Sequence, residues 1–474
     1  MTVRWRFPVL WTQPQALVGR LLNSTVAWSW AYNALRLATG VVLLPLLLNL
    51  LPVAELGMYY VLLAQIALVP LIDFGFGTTI GRFVSYAMGG ADSLQAQGVA
   101  KPSASTLPNY ALLWQLLFTT RKLYRLLTLA ALVVLALWGT YNVELRIGET
   151  ASPTLTRVAW ALTLVSALSD IYWNWWNVFL RSMDQVLVAM RYGLVGTLVR
   201  LLVTAGLLLC GAGLISLPVG TFSGSLLMRF LARRRCLQLL ACHPRPSEVG
   251  LKEHLAVLWP NTWRLGIQFL SGYLTVSANT TICTHAFGLS ANAQYGLSVQ
   301  LLDIIAGMAY VWTSVKWPIV GQYLAKHEPA AVQRVLWPRV WLQTVTFLLM
   351  AGTLLVCGPF LLSHFGGGKR ILPLIWMVCL ASNSFFQLQL TLWATLITMG
   401  NRLPMLWPTV ATNVASLTLS LTLVRFTGLG LGGLVLGPLL AGCLFNYWYW
   451  PGYAARGLGT TLLGFLFSFR PRAR

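Results

Sequence analysis

The sequence encodes an all-α integral membrane protein of about twelve transmembrane helices, arranged as two six-helix bundles related by an internal repeat. Three observations carry that expectation: an apolar composition, a regular succession of apolar stretches, and basic residues gathered in the breaks between them. Of 474 residues, 57% are hydrophobic and only 9% charged, and the mean hydropathy is +0.70. Soluble domains carry roughly 25% charged residues, so lipid is the main solvent here. A spanning helix takes about 20 apolar residues, so twelve use about half the chain and leave no room for a separate globular domain.

The apolar stretches place spans at 25–51, 57–88, 123–141, 157–180, 192–211, 213–231, 259–282, 292–321, 340–363, 371–398, 405–425 and 430–450. Gly and Pro within them are tolerated when neighbouring helices satisfy the freed backbone groups. The implied organisation is an N-terminal surface segment (1–24), a first bundle (25–231), a linker (232–256), a second bundle (257–450) and a basic tail (451–474). Residues 105–122 read as an amphipathic helix on the cytoplasmic surface, and the apolar run 457–469 is too short to span. The N-terminus has no apolar core with a cleavage site. Its Arg4, Arg6, Trp5 and Trp11 suit a segment lying on the membrane surface.

The formal net charge of +22 suggests nucleic acid at first, but its distribution points to topology. With the N-terminus inside, 22 Lys and Arg fall on the cytoplasmic side and five (Arg146, Arg157, Lys369, Arg370 and Arg425) on the other. That asymmetry is the positive-inside pattern and places both termini in the cytoplasm. The seven Cys show no metal spacing, and no Walker motif is present to bind ATP. No long outer loop carries paired carboxylates, which a membrane glycosyltransferase or polymerase would need.

An internal repeat supports two halves. Asn33-Ala-Leu-Arg36-Leu37 in the first span is echoed by Asn261-Thr-Trp-Arg264-Leu265 in the seventh. Tyr60 and Gln65 share their spacing with Tyr295 and Gln300, and Arg82 corresponds to Lys316. Transporters commonly place their binding site between such halves.

Charges inside the spans ask for an explanation, because Arg, Lys or Asp at a helix centre costs about 2.5–3.5 kcal/mol. The embedded cations are Arg36, Arg82, Arg200, Arg264 and Lys316; the anions are Asp73, Asp170 and Asp303. Those near cytoplasmic ends can snorkel to the interface, but Arg36 lies deeper. The functional reading is a shared cationic cavity, lined by Arg36 and Arg264 from the first helix of each half and flanked by Arg82, Lys316 and Arg200. Guanidinium groups hold phosphate through paired hydrogen bonds. Asn33, Asn261, Gln65 and Gln300 add polar groups. The fourth span, with Asp170, Tyr172, Trp173, Asn174 and Asn177, supplies amides and aromatic faces for sugar rings, although an interfacial aromatic belt would look similar. Asp73 and Asp303 have two competing roles: pairing with Arg82, Arg36 or Lys316, or binding the H+ or Na+ that drives transport. No cofactor and no resident metal are expected.

Several short runs resemble a known family. Pro52-Val-Ala-Glu55-Leu-Gly57-Met-Tyr59-Tyr60, Asp73-Phe-Gly-Phe-Gly77 and Arg82-Phe-Val-Ser85-Tyr86 with Gly89-Gly90 are similar to elements of the polysaccharide (O-antigen type) flippases. So are Trp259-Pro260, Trp263-Arg264, Tyr295-Gly296-Leu297 and Trp317-Pro318. These flippases belong to the multidrug/oligosaccharidyl-lipid/polysaccharide (MOP) exporter superfamily. The resemblance implies alternating access and a non-enzymatic role in the bacterial inner membrane. It also implies export of undecaprenyl-pyrophosphate-linked oligosaccharide for O-antigen, capsule or exopolysaccharide synthesis. Partners would then be the lipid-linked oligosaccharide, membrane lipids and a polysaccharide polymerase or other assembly proteins, with no nucleic acid. The family's cationic central cavity matches Arg36 and Arg264 in position. Two alternatives stand beside it: a cation-coupled drug or metabolite exporter on the same fold, and a membrane glycan polymerase or ligase.

Overall fold

The computed structural model describes residues 25–91, 107–244, 251–325, 328–399 and 404–467, and all regular structure among them is helical. In lipid every backbone N–H and C=O needs a partner within the protein, which a helix supplies along its own length. Ten helices among the described residues are long and apolar enough to cross a membrane. Two further crossings lie outside that count. Helix Pro153–Ser182 is long but less apolar, and Leu251–Ser314 is two helices meeting at Gly288, whose φ of 81° breaks the run. With both included, the described residues hold the twelve expected helices of a multi-pass membrane protein.

In chain order these are α1 (Thr25–Leu50), α2 in three segments (Val53–Ile66, Val69–Asp73 and Phe76–Met88), α3 (Tyr110–Glu144, through a π turn at Leu135–Gly139), α4 (Pro153–Ser182), α5 (Val186–Leu209) and α6 (Ser216–Leu240). The second half repeats the set: α7 (251–287), α8 (289–314, continued by Trp317–Ala325), α9 (Pro329–Phe365), α10 (Leu374–Met399), α11 (Leu406–Phe426) and α12 (Leu431–Leu444, continued by Asn446–Gly457). A short α13 (Leu462–Phe467) follows. It lies against α9, where the indoles of Trp337 and Trp341 donate to the Leu466 carbonyl at 3.2 and 3.1 Å.

The surface helix expected over 105–122 is instead the start of α3. Asn109 caps it by accepting from the Leu112 amide at 3.0 Å, and the helix runs 35 residues to Glu144. That is roughly 50 Å at 1.5 Å per residue, longer than the hydrocarbon layer. The basic residues Arg121, Lys122 and Arg125 therefore mark where α3 enters the membrane, not where a separate helix ends. Residues 232–240, assigned by sequence to the linker, continue α6. Residues 451–457, assigned to the tail, continue α12. The calls on residues 1–24 and on the chain end beyond 467 lie outside the described residues.

Each half carries a close helix crossing built on glycines spaced by four. In the first half, a Cβ on Gly224 of α6 would sit 2.3 Å from the Gly196 carbonyl of α5, and one on Gly220 would sit 1.9 Å from the Thr204 hydroxyl. In the second, Gly437 of α12 meets Ser420 of α11 in the same way, at 2.2 Å, with Gly433 one turn before it. Without a solvent-driven force between helices in lipid, small residues that let backbones touch supply the packing energy.

The halves meet along α2 and α8. A Cβ on Gly57 would fall 2.1 Å from the Leu289 carbonyl, and Gly296 lies beneath the Tyr60 ring. The Asn292 amide donates to the Gly57 carbonyl at 2.9 Å, and the Tyr60 hydroxyl donates to Gln300 Oε1 at 2.6 Å. Tyr60 and Gln300 both belong to the sequence repeat, so helices that correspond to one another also touch. Gly224→Leu should destabilise the α5–α6 crossing by about 1–3 kcal/mol through overpacking, read as a lower unfolding midpoint of the purified protein. An unchanged midpoint would contradict the crossing.

Candidate functional site

Three neighbouring cavities occupy the space between and beside the halves. The first, about 360 Å³, is lined by Arg36 and Gly40 of α1, Tyr60 and Ala64 of α2, Ser277 and Thr280 of α7, and Gln300 and Asp303 of α8. The second, about 250 Å³, shares Arg36, Gly40 and Gln300 with the first and adds Tyr32, Thr39, Tyr59, Thr197 and Arg200. The third, about 550 Å³, lies within the second half and shares Asp303 and Val299 with the first. Arg36 thus lines two chambers and Asp303 lines two, so the three lie side by side from α5 to α12.

Arg36 and Arg200 come from different helices, α1 and α5, and line one chamber. Both are exposed to that space. Among the described residues no hydrogen bond or ion pair engages either guanidinium, and the ion pairs found there involve other residues. Two like charges facing one cavity without a carboxylate partner make an anion-attracting chamber. Asp303 is likewise without a hydrogen bond or ion pair among the described residues and lines both the first and the third cavity.

The other sequence candidates go elsewhere. Asp170 is ion-paired with Arg229 of α6, whose side chain is buried. The pairing turns the carboxylate into a counter-charge for a buried cation rather than a free cavity group, and sequence inspection had assigned Arg229 no role. Asp73 accepts from the Tyr124 hydroxyl of α3 and from the Gly77 amide at 3.3 Å. It holds the break in α2, where Phe74 and Gly75 adopt positive φ, and none of the cations expected to pair with it does so among the described residues. Arg82 is exposed and lies 5.6 Å from the Phe83 ring. Lys316 falls at the break between the two α8 segments.

Neither Arg82 nor Lys316 lines the three cavities, and neither do Asn33, Asn174, Asn177 or Gln65. Gln65 is fully buried, with neither amide atom hydrogen-bonded among the described residues. Asn261 and Arg264 fall on α7, but their side chains lie outside the described residues.

One end of the space is sealed by bonds between the halves. At the α3–α4 turn, Arg146 donates to the carbonyls of Thr284 and His285 at 3.1 and 2.7 Å and to Glu149 at 3.1 Å. Glu149 in turn accepts from the Leu289 amide at 2.7 Å, capping the start of α8, where a carboxylate is favoured by the exposed helix N–H groups. His285 Nε2 meets Asn142 at 2.7 Å. Lys369, buried in the α9–α10 turn, bonds the Leu48 carbonyl near the end of α1. All these turns lie on the face that the basic-residue pattern assigns to the outside.

No family model matches the sequence, and no curated protein matches it. Solved structures do match the fold. The inward-facing conformation of a MATE-family multidrug resistance transporter of the MOP superfamily aligns with a TM-score of 0.59 at 16% identity, covering 90% of this chain and 95% of that one. The fold is that of the MOP-superfamily transporters. The lipid II flippase MurJ in an inward closed conformation aligns with a TM-score of 0.60 at 12% identity, covering 93% and 89%. A MOP-superfamily transporter from Pyrococcus furiosus, described as having a binding pocket of reversed polarity that suggests a different function, aligns at 0.55 and 15% identity, covering 95% and 98%.

If the Arg146 and Glu149 contacts hold the outer face shut, Arg146→Ala should raise the population open to that side. In a background without native cysteines, Leu47→Cys lines the chamber and should then react several-fold faster with a membrane-impermeant thiol reagent applied outside. Equal rates with and without Arg146→Ala would contradict the seal.

Proposed function

We propose that this protein is a translocase for polyprenyl-pyrophosphate-linked oligosaccharides, moving them across the bacterial inner membrane by alternating access. The observation that supports the reading is the pair Arg36 and Arg200, unpartnered among the described residues and facing one chamber of the first half that Gln300 of α8 borders. A diphosphate carries the charge and the oxygen acceptors that two guanidiniums can share, each through parallel hydrogen bonds. A lipid-linked substrate is consistent with the fold shared with a lipid II flippase. Arg264 enters the proposal only through the sequence repeat. The undecaprenyl carrier and assembly partners such as a polysaccharide polymerase belong to the same reading.

A second reading has one observation in its favour. Asp303, unpaired among the described residues in a cavity lined by Tyr295 and Tyr310, would suit an organic cation, as in a cation-coupled exporter. Arg36 in the adjoining cavity and Arg200 beyond it, both without a carboxylate partner among the described residues, weigh against it because they repel such cargo.

Reconstitution with a fluorescent polyprenyl-pyrophosphoryl disaccharide separates the readings. The wild-type chain should move the lipid between leaflets, and Arg36→Ala and Arg200→Ala should each slow it about tenfold or more, as expected for losing a charge-assisted contact. Arg36→Lys should keep part of the rate, since it retains charge without the planar fork. Undiminished rates in both alanine variants would remove the anion chamber. Export of tetraphenylphosphonium without lipid movement would favour the exporter.

A further inference from the structure

The third cavity has no part in holding a diphosphate, yet it is the largest of the three neighbouring spaces and has the most uncharged polar residues in its lining. Two facing helices turn a stripe of uncharged polar residues into it. On α10 these are Asn383, Ser384, Gln387 and Thr391; on α11, Thr409, Thr412, Asn413 and Ser416. Spacings of three and four residues put each set on one face of its helix. Such stripes inside spanning helices are costly in hydrocarbon unless they line a cavity or meet one another.

Few of these groups satisfy one another. Asn413 donates to Ser271, and Tyr447 donates to Asn383 Oδ1 at 2.7 Å. The latter bond leaves the Asn383 amide N–H groups available. Ser416, nearly inaccessible in its own right, lines the cavity with its hydroxyl unbonded among the described residues. Tyr295, Tyr310 and Tyr447 contribute aromatic surface. Asp303, shared with the first cavity, is the only carboxylate in the lining, and no cation joins it there.

Amide donors and acceptors, hydroxyls and ring faces without net charge are complementary to a neutral sugar. The volume, about 550 Å³, lies in the roughly 300–1,000 Å³ range of small-molecule sites. We infer that this chamber is the glycan subsite: it receives uncharged, hydroxyl- and acetamido-bearing sugars of the substrate while Arg36 and Arg200 hold the diphosphate. The inference rests on the translocase reading above and adds to it a place and a chemistry for sugar selection. A site built to hydrogen-bond hydroxyls discriminates strongly against a ligand that lacks them, because its own polar groups are then left unpaired. The glycan thus decides which diphosphate lipids are retained.

The test compares two lipids on the full-length protein in detergent micelles by native mass spectrometry. One is bare polyprenyl pyrophosphate; the other is the same lipid carrying N-acetylglucosamine. The wild type should bind the glycosylated lipid about tenfold more tightly. Asn383→Leu and Gln387→Leu should each lose most of that preference while binding the bare lipid as before, and that retained affinity shows that they are folded. Ser416→Ala, a smaller change, should lose a part of it. Arg36→Ala should weaken both lipids alike.

Equal wild-type affinity for the two lipids, with Arg36→Ala still weakening both, would overturn the sugar chamber and leave the translocase reading intact. A preference that survives Asn383→Leu and Gln387→Leu would place sugar recognition elsewhere. Failure to bind either lipid would overturn both readings. Tetraphenylphosphonium binding abolished by Asn383→Leu would make the chamber an organic-cation site.

Discussion

Positive charge inside the helix bundle, with or without a carboxylate beside it among the described residues, is the constraint around which the site is arranged. Burying a guanidinium away from water is costly unless an anion or a water-filled space receives it. The chain shows both ways of meeting that cost. Arg229 is buried and carries its own carboxylate, Asp170, across the α4–α6 contact. A pair of this kind is closed to a ligand, and removing one member would strand the other. Arg36 and Arg200 have no such partner among the described residues and face a cavity instead. The same residue type is structural at one site and available at the other, and the presence of a carboxylate neighbour decides which.

The chamber lies beside the contact between the halves, with Tyr59 and Gln300 in its lining. Corresponding helices α2 and α8 touch through Gly57, Asn292, Tyr60 and Gln300, while the cavities open among α1, α7 and the helices of each bundle. Glycine crossings hold α5 to α6 and α11 to α12 within the halves. The contacts across the halves at the α3–α4 and α9–α10 turns include hydrogen bonds of Arg146, Glu149 and Lys369 to backbone groups and the His285–Asn142 pair. Glycine crossings thus pack the helices closely within each half, and glycine contacts together with hydrogen bonds join the halves along α2 and α8.

Much of this was legible in the sequence because the bilayer writes length and charge rules directly into it. Apolar runs and basic breaks located the twelve spans, and the Tyr60/Tyr295 and Gln65/Gln300 matches marked helices that do pack together. The start of α3 was hidden because Arg121, Lys122 and Arg125 look like a boundary, and only the length of the helix shows them to lie at its entry. The Arg229–Asp170 pair joins residues 59 apart, a partnership that no spacing rule can announce. The polar faces of α10 and α11 were in principle readable as a period of three to four within spans that a hydropathy average treats as apolar. The GxxxG pairs 220/224 and 433/437 were similarly available, yet their role depends on which backbone crosses there.

A structure of the full-length protein with bound polyprenyl pyrophosphate, determined by electron cryo-microscopy, would test the account most directly. The diphosphate is predicted to lie between α1 and α5, with the guanidinium groups of Arg36 and Arg200 about 3 Å from its oxygens. A diphosphate bound elsewhere, with those two side chains turned to lipid or paired to carboxylates, would contradict it.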